Sequence, residues 1–186
     1  MPPVYTPENP EFKKPCPDFT LPSVDGVPFS LSDFKKNKPF VILFICNHCP
    51  YVQAIEDRLI QLGHDLKKLD IPVVAICSND EITYPEDSLE NLRKRFHEKK
   101  YSFIYLHDKT QEVAKKFGAL CTPDYFVYDQ NAQLAYRGRL DDSWKDPLQV
   151  TTRELYEAIL ELSEGKPISR PQVPSMGCSI KWIKND

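Results

Sequence analysis

The sequence predicts an α/β fold in which helices cover both faces of one central mixed sheet. The apolar run at residues 40–45 is typical of a buried strand, and residues 71–77, rich in β-branched side chains, predict a second one. Between them, apolar residues recur at steps of three and four, which indicates an amphipathic helix. They are Val52, Ile55, Leu59, Leu62, Leu66 and Leu69. Strands that alternate with helices in this way imply a mixed sheet covered on both sides.

The other elements follow in chain order. Asp25-Gly26 lies between two short apolar runs, which predicts an antiparallel hairpin within residues 19–31. Downstream we expect a helix up to about residue 100, a strand at 103–106, a short helix at 110–117, a hairpin at 125–138 and a last helix ending at Gly165.

Length and proline content predict one domain with two extended ends. The chain has 186 residues, which is ample for a single hydrophobic core. Prolines are frequent near the start and in the last segment. We therefore predict an extended N-terminal arm at residues 1–15, a domain at residues 16–166, and a C-terminal tail at residues 167–186 that packs on or near the domain.

Charge and cysteine content narrow the class of protein. The formal net charge is −3, with acidic and basic residues mixed along the chain, so neither a nucleic-acid nor a membrane partner is expected. No stretch has the length of a transmembrane helix, and the first residues lack the apolar region of a signal peptide. We expect a cytoplasmic protein. Its six cysteines are too few for a disulfide scaffold, so most should be free thiols.

The first apolar run ends in the motif Cys46-Asn47-His48-Cys49-Pro50. Because proline is tolerated only in the first turn of a helix, we expect the helix to begin near Cys46 or Asn47. The N–H groups and dipole at a helix N-terminus favour a thiolate, which predicts Cys46 as an exposed nucleophile with a lowered pKa. Cys49, one turn further, is expected to be more covered and to resolve the mixed disulfide.

His48 lies between the two cysteines. A positive imidazolium there would lower the pKa of the thiol further and stabilise the reduced form. One alternative is a pair of buried, unreactive thiols. Another is a zinc site, but zinc needs four ligands and the sequence has no second Cys-x-x-Cys and no His-x-x-x-His. We therefore predict catalytic roles for Cys46, Cys49 and His48, and neither a metal nor a cofactor.

A second segment completes a family resemblance. The sequence Gly118-Ala119-Leu120-Cys121-Thr122-Pro123 precedes a predicted strand, and together with the upstream dithiol it resembles the thioredoxin superfamily. Pro17-Asp18-Phe19 and the following hairpin are similar to the alkyl hydroperoxide reductase/thiol-specific antioxidant, or peroxiredoxin-like, branch. The segments Ser78-Asn79-Asp80 and Gly177-Cys178-Ser179-Ile180-Lys181-Trp182 resemble a little-characterised group within that branch.

The resemblance implies a thioredoxin-like three-layer fold with an N-terminal β-hairpin extension. It also implies a cis peptide bond between Thr122 and Pro123, in a loop that faces the dithiol. Thr122, Pro123 and Cys121 are then the expected substrate-binding residues. Cys121 could be a third redox thiol or a small loop residue that contacts substrate, and we favour the second.

The sequence departs from both parent patterns. Peroxiredoxins have Thr or Ser three residues before the peroxidatic cysteine and an arginine near the proline position, whereas here these positions hold Cys46 and Pro123. Typical thioredoxins have a buried acid beneath the dithiol. No Asp or Glu occurs between Pro39 and Tyr51, so the motif itself supplies no proton acceptor.

The sequence therefore supports three hypotheses. The first is a thiol–disulfide oxidoreductase that acts on a protein or small-molecule disulfide and is recycled by a cellular thiol reductant. The second is a thiol peroxidase in which Cys49 or Cys46 passes through a sulfenic acid. The third is a redox-inert thioredoxin-fold binding module. Cys16 and Cys178, near the two ends, could each act as a distant resolving thiol, but for each we favour an ordinary free thiol.

Overall fold

The computed structural model describes residues 2–184. In this part of the chain there are ten β-strands and four α-helices. The strands are β1 (Val4–Tyr5), β2 (Thr20–Pro22), β3 (Pro28–Ser30), β4 (Phe40–Phe44), β5 (Val73–Cys77), β6 (Ile104–His107), β7 (Cys121–Thr122), β8 (Asp124–Tyr128), β9 (Leu134–Tyr136) and β10 (Met176–Ser179). The helices are α1 (Pro50–Lys68), α2 (Leu89–Lys99), α3 (Glu112–Phe117) and α4 (Glu154–Ser163).

Five strands form a central mixed sheet in the order β6-β5-β4-β8-β9. The pairs β4–β5 and β5–β6 are parallel, whereas β8 runs antiparallel to both β4 and β9. Every residue of β4 is buried, because one core packs on each face of this central strand. The predicted central mixed sheet flanked by helices is confirmed, and β4 ends at the dithiol motif.

Successive residues of β4 point alternately into the two cores, because side chains alternate between the faces of a sheet. Val41 and Leu43 face the core that contains the apolar stripe of α1, while Ile42 and Phe44 face the core beneath α3 and the β2–β3 hairpin. The hairpin itself forms as predicted. Its turn contains Gly26 with φ +84°, a conformation that favours glycine.

Helix α1 begins at Pro50, so the predicted start near Cys46 or Asn47 is wrong. Cys49 is the N-cap, with extended backbone angles of φ −73° and ψ 120°. The physical reason is the proline ring, which disfavours helical angles at the preceding residue and itself fits the first helical position. Residues 46–49 therefore form a loop between β4 and α1.

The two ends of the chain meet at the loop that follows α3. β1 pairs with β10, and β10 pairs with β7, giving a small three-stranded antiparallel sheet beside the central one. Gly177 of β10 is packed so closely that a Cβ atom would lie 2.0 Å from the carbonyl oxygen of Thr122. The predicted boundaries at 15/16 and 166/167 stay predictions, and residues 1, 185 and 186 lie outside the described part.

None of the helices within residues 2–184 combines the length and the apolar character needed to cross a bilayer.

Candidate active site

The loop before β8 lies over the dithiol. The Thr122–Pro123 bond is cis, as the resemblance implied. The hydroxyl oxygen of Thr122 lies 3.3 Å from the sulfur of Cys46, and the carbonyl oxygen of Thr122 accepts the thiol of Cys49 at 3.0 Å. One residue of this loop therefore contacts both sulfurs.

Both thiols of the motif are covered. Cys46 is 2% exposed and Cys49 is 0% exposed. The prediction of an exposed Cys46 is wrong, because the helix begins after Cys49 and leaves Cys46 at the end of β4, beneath Thr122. Cys46 does not lie at the rim of a helix N-terminus.

The environments of the two sulfurs shift their pKa values in opposite directions. The hydrogen bond with Cys46 is the main cause that lowers the pKa of Cys49 to about 5, and contacts with Cys178 and Thr122 act in the same direction against burial. Burial raises the pKa of Cys46 well above its ordinary value, and the Cys49 thiolate and the nearby Asp87 charge add to this effect. These directions favour Cys49 as the thiolate, whereas the sequence predicted Cys46, and which sulfur attacks stays a prediction.

The helix start contributes less to this shift than the neighbouring sulfurs. The sulfur of the N-cap Cys49 makes no full capping hydrogen bond, although the backbone N–H of Val52 favours its thiolate. The Thr122 carbonyl has the opposite effect, because it accepts a proton that only the thiol form carries. The thiol and hydroxyl donors around Cys49 outweigh that carbonyl.

The site contains a buried acid that the motif lacks. Asp87 is 0% exposed and its carboxylate lies within 4.8 Å of the sulfur of Cys46. It accepts the backbone N–H of Asn47 at 2.7 Å and the side-chain amide of Asn79 at 2.8 Å. Burial works to raise the pKa of Asp87, but the hydrogen bonds from His48, Asn79 and Asn47 hold it below the usual range.

His48 is the partner of this acid. Its Nδ1 donates to Asp87 Oδ2 at 2.5 Å, and its ring stacks on Tyr84 with 4.9 Å between the ring centres. The hydrogen bond to Asp87 raises the pKa of His48 against a smaller effect of burial. Because the carboxylate of Asp87 is the direct partner of the His48 ring, the predicted lowering of the pKa of Cys46 by His48 has no support from this geometry and stays a prediction.

Cys46, His48 and Asp87 also carry the donor types of a metal site, with ligand atoms within 4.8 Å of one another. Their arrangement is that of a hydrogen-bonded pair beside a thiol. Nδ1 of His48 contacts Asp87 at 2.5 Å and points to Cys46 only at 3.9 Å, so this nitrogen is occupied by the carboxylate. Three such donors fall short of the four that a structural zinc requires.

A third thiol joins the site from the C-terminal tail. In the β7–β10 pair, Cys178 lies directly opposite Thr122, so both side chains lie on the same face. That face is the dithiol side, because the Thr122 hydroxyl contacts Cys46. Burial raises the pKa of Cys178 to about 12, and its hydrogen bond with Cys49 adds to that shift.

Cys121 faces the other way. It pairs with Ser179, its side chain is buried, and its thiol donates to the carbonyl of Pro123 at 3.5 Å. Its predicted contact with substrate has no support from this geometry and stays a prediction. Pro123 lines a cavity of about 160 Å³ together with Tyr51, Tyr125 and Trp144, which offers room for a substrate beside the cis bond.

The two arginines after β9 have structural partners. Arg137 hydrogen-bonds to the buried carboxylate of Asp124 at 2.8 Å, and Arg139 makes a two-pronged contact with Glu154. Neither arginine is hydrogen-bonded to Cys46 or Cys49. The arginine of a peroxide pocket is thus not supplied by these two residues.

Comparison with known families agrees with this fold. The model of the AhpC/TSA family matches residues 12–137, which is more than half of the chain. The chain belongs to the AhpC/TSA family. A comparison with curated proteins found no significant match.

Solved structures extend the similarity of this AhpC/TSA protein over its whole length. An uncharacterized conserved protein from Geobacillus kaustophilus is 44% identical, with TM-score 0.94 over 100% of this chain and 99% of the other. A hypothetical protein from Sinorhizobium meliloti 1021 is 37% identical, with TM-score 0.90 over 95% and 97%. The thioredoxin domain of a thiol-disulfide oxidoreductase from Bacteroides vulgatus, 14% identical with TM-score 0.63 over 83% and 99%, shares the fold.

Three features of this site were missed or only partly predicted from the sequence, and Cys178 is the partly predicted one, as a possible distant resolving thiol. Asp87 precedes the N-cap of α2, where an acidic residue is ordinary, and it lies 39 residues from His48 along the chain. Cys178 lies near the C-terminus, and no signal in the sequence pairs it with Thr122. The third feature is the start of α1, for which Pro50 after Cys49 was a usable signal.

Proposed function

We propose that this AhpC/TSA protein is a thiol–disulfide oxidoreductase whose redox couple is Cys46 and Cys49. The observation that carries the proposal is geometric: Thr122, in the cis loop over the dithiol, contacts the sulfur of Cys46 at 3.3 Å and the thiol of Cys49 at 3.0 Å, and the opposite pKa shifts of the two thiols support it. A thiolate beside a protonated thiol is the arrangement that disulfide exchange uses, because one sulfur attacks while the other waits to resolve the mixed disulfide.

In the proposed reaction, the Cys49 thiolate attacks a disulfide sulfur and releases one thiolate of that disulfide. Cys46 then attacks Cys49, which closes the Cys46–Cys49 disulfide and releases the second thiolate. Cys46 must lose its proton in this step. The carboxylate of Asp87 lies within 4.8 Å, close enough to accept the proton through one water molecule.

The remaining parts of the site have supporting roles in this proposal. The Asp87–His48 pair fixes the loop at residues 46–49, since Asp87 also holds the backbone N–H of Asn47. The cavity beside Pro123 would receive the apolar part of the substrate, a protein or small-molecule disulfide. A cellular thiol would reduce the protein again. We propose the cytoplasm as its compartment, where its free cysteines would stay reduced.

The test is reduction of oxidised glutathione and of a protein disulfide, with dithiothreitol as the electron source. The wild type should accelerate both reactions, and Cys49→Ser should abolish the acceleration. Mass spectrometry of the oxidised protein should show the Cys46–Cys49 disulfide. No acceleration by the wild type, together with no such disulfide, would contradict the proposal.

A thiol peroxidase is the second candidate, favoured by the family and by a low-pKa cysteine at a helix N-cap followed by proline. In that case the Cys49 thiolate would attack a peroxide and become a sulfenic acid. Rapid consumption of hydrogen peroxide that survives Cys46→Ser but not Cys49→Ser would favour this candidate. Slow consumption beside fast disulfide exchange would reject it.

A further inference from the structure

The couple of Cys46 and Cys49 has an access problem. Both sulfurs are covered, whereas a disulfide exchange requires the attacking sulfur to approach in line with the bond that breaks. Among the three thiols of the site, Cys178 alone is partly exposed. An outside thiol or disulfide therefore meets Cys178 first.

The strand pairing holds this exposed thiol against the buried one. Cys178 lies opposite Thr122, whose carbonyl oxygen accepts the thiol of Cys49 at 3.0 Å. Gly177 keeps the two strands close, because any side chain there would collide with the backbone of Thr122. β10 also packs against α1, the helix that begins after Cys49. The position of Cys178 is thus fixed from two sides.

We propose that Cys178 relays disulfide exchange between the buried couple and molecules outside, through a transient Cys49–Cys178 disulfide. This inference rests on the proposed function and names the residue through which the couple is reached. It adds a third redox thiol to the two thiols of the Cys46-x-x-Cys49 motif.

Reduction of the oxidised protein would proceed in two exchanges at Cys49 and a third that frees Cys178. First, Cys178 loses its proton to solvent and its thiolate attacks Cys49, so the Cys46–Cys49 bond breaks, the Cys49–Cys178 bond forms, and Cys46 leaves and takes up a proton. Second, an outside thiolate attacks Cys178, and Cys49 leaves as a thiolate. A second outside thiolate then attacks the outside sulfur bound to Cys178, so Cys178 leaves as a thiolate and the two outside sulfurs form a new disulfide. Two outside thiols supply the two electrons.

The surroundings of Cys49 and Cys178 favour both exchanges at Cys49. While Cys49 is part of a disulfide it carries no charge, so its effect of raising the pKa of Cys178 disappears when Cys178 must be deprotonated. In the second exchange Cys49 is the leaving group, and a thiol with a low pKa leaves faster. Oxidation follows the same route in reverse, so the disulfide that Cys49 attacks is the one between Cys178 and the outside molecule.

The other three cysteines do not fit this role. Cys121 lies on the opposite face of the β7–β10 pair, Cys77 lies within β5, and Cys16 packs in the core beneath the hairpin. All three are buried. Cys16 is therefore a suitable control position, because its thiol lies in the other core and away from the dithiol.

The first test measures exchange rates of full-length Cys178→Ser, with Cys16→Ser as the control. Reduction of the oxidised protein by reduced glutathione, and oxidation of the reduced protein by oxidised glutathione, should each be at least about tenfold slower in Cys178→Ser. The equilibrium constant with glutathione should change much less, because a relay alters the rate and not the end states. Wild-type rates in Cys178→Ser would overturn the inference.

The second test traps the intermediate. In Cys46→Ser, oxidised glutathione should produce a Cys49–Cys178 disulfide that peptide mapping identifies. Glutathione held stably on Cys49 with Cys178 free would overturn the inference. A wild type that exchanges with glutathione while Cys178→Ser is equally fast rejects the relay alone. A wild type that forms no Cys46–Cys49 disulfide rejects the proposed function itself.

Discussion

Cys46 and Cys49 are three positions apart, yet they lie in opposite chemical surroundings. Cys46 follows β4, in the loop before α1 and next to a buried carboxylate, and burial together with that charge raises the pKa of its thiol. Cys49 caps α1 among thiol and hydroxyl donors that stabilise its thiolate. The largest cause at Cys49 is its hydrogen bond with Cys46 itself, and the largest cause at Cys46 is burial. Cys178 and Asp87, which lie far along the chain, add to the difference between the two sulfurs. The spacing of the motif therefore sets the pair, and distant neighbours increase the contrast within it.

The largest expected effect separates the two sulfurs by activity. Cys49→Ser should lower the rate of disulfide exchange by at least about 10³-fold, because it removes the nucleophile. Cys46→Ser should lower the rate by only about tenfold in a single turnover with glutathione, since Cys178 can still resolve Cys49. Single-turnover kinetics with each variant checks this. A larger loss in Cys46→Ser would restore Cys46 as the nucleophile.

Removal of the buried acid tests what holds the Cys46 side of the site. Asp87→Ala leaves the imidazolium of His48 and the amide of Asn79 without their acceptor, and should cost about 3 kcal/mol of unfolding free energy. Urea denaturation of the wild type and the variant measures this loss of unfolding free energy. The control is Asp57→Ala, a carboxylate 93% exposed, which should stay within about 0.5 kcal/mol of wild type.

The conservative variant Asp87→Asn keeps the shape but removes the charge. The pKa of Cys46 and the pKa of His48 should both fall, because the carboxylate raises each of them. Alkylation of Cys46 against pH and NMR titration of His48 report the two shifts. An unchanged Cys46 titration would show that Asp87 acts only as a structural residue.

Displacement of β10 tests the cover over Cys49. Gly177→Ala places a methyl group against the backbone of Thr122, so the strand must shift, with an expected cost of about 2 kcal/mol. Alkylation of Cys49 by iodoacetamide should become faster, because β10 no longer shields it. Ser179→Ala, two residues further along the same strand, should leave both quantities close to wild type. Equal alkylation rates in the two variants would mean that β10 does not limit access.

The smallest expected effect is a pH dependence of stability. The pKa of His48 is raised in the fold, so its contribution is complete below its unfolded value of about 6.5 and is lost as the pH rises through the raised value. The pKa of Asp87 is lowered, so its contribution is complete above about pH 3.9 and is lost as the pH falls further. The Asp87–His48 pair therefore makes its full contribution to the unfolding free energy between about pH 3.9 and about pH 6.5.

Denaturation at several pH values checks this window. The unfolding free energy should decline above about pH 6.5 in the wild type and decline less in His48→Gln. His64→Gln, on an exposed position of α1, is the matched control and should decline as the wild type does. Identical pH profiles of the unfolding free energy for all three proteins would show that the Asp87–His48 pair does not contribute to stability.

The fold was largely predictable because its signals are local. The apolar run of β4, the stripe of α1 and Asp25-Gly26 each act within a few residues, and all three elements formed. The predicted start of α1 was too early, because Pro50 disfavours helical backbone angles at the residue before it. That effect is also local, so the sequence contained enough information for it.

The chemistry of the site was less predictable because it depends on distant residues. Asp87, Thr122 and Cys178 approach the dithiol only after the sheet, the cis loop and the tail have formed. The family resemblance located Thr122, but a single sequence carries no pattern that places Asp87 or Cys178 beside the sulfurs. The order of reactivity that we now propose for Cys46 and Cys49 differs from the one predicted from the sequence, because the motif shows neither the burial of Cys46 nor these contacts.

The most direct measurement is the rate of alkylation of each cysteine against pH, with iodoacetamide and peptide-level mass spectrometry. We expect Cys49 to titrate with a midpoint well below the ordinary 8.5, and Cys46 to stay unreactive until a pH above that value. A low midpoint at Cys46 with an ordinary one at Cys49 would contradict the assignment of the nucleophile. Midpoints at or above 8.5 for both would contradict the redox role and favour a redox-inert binding module.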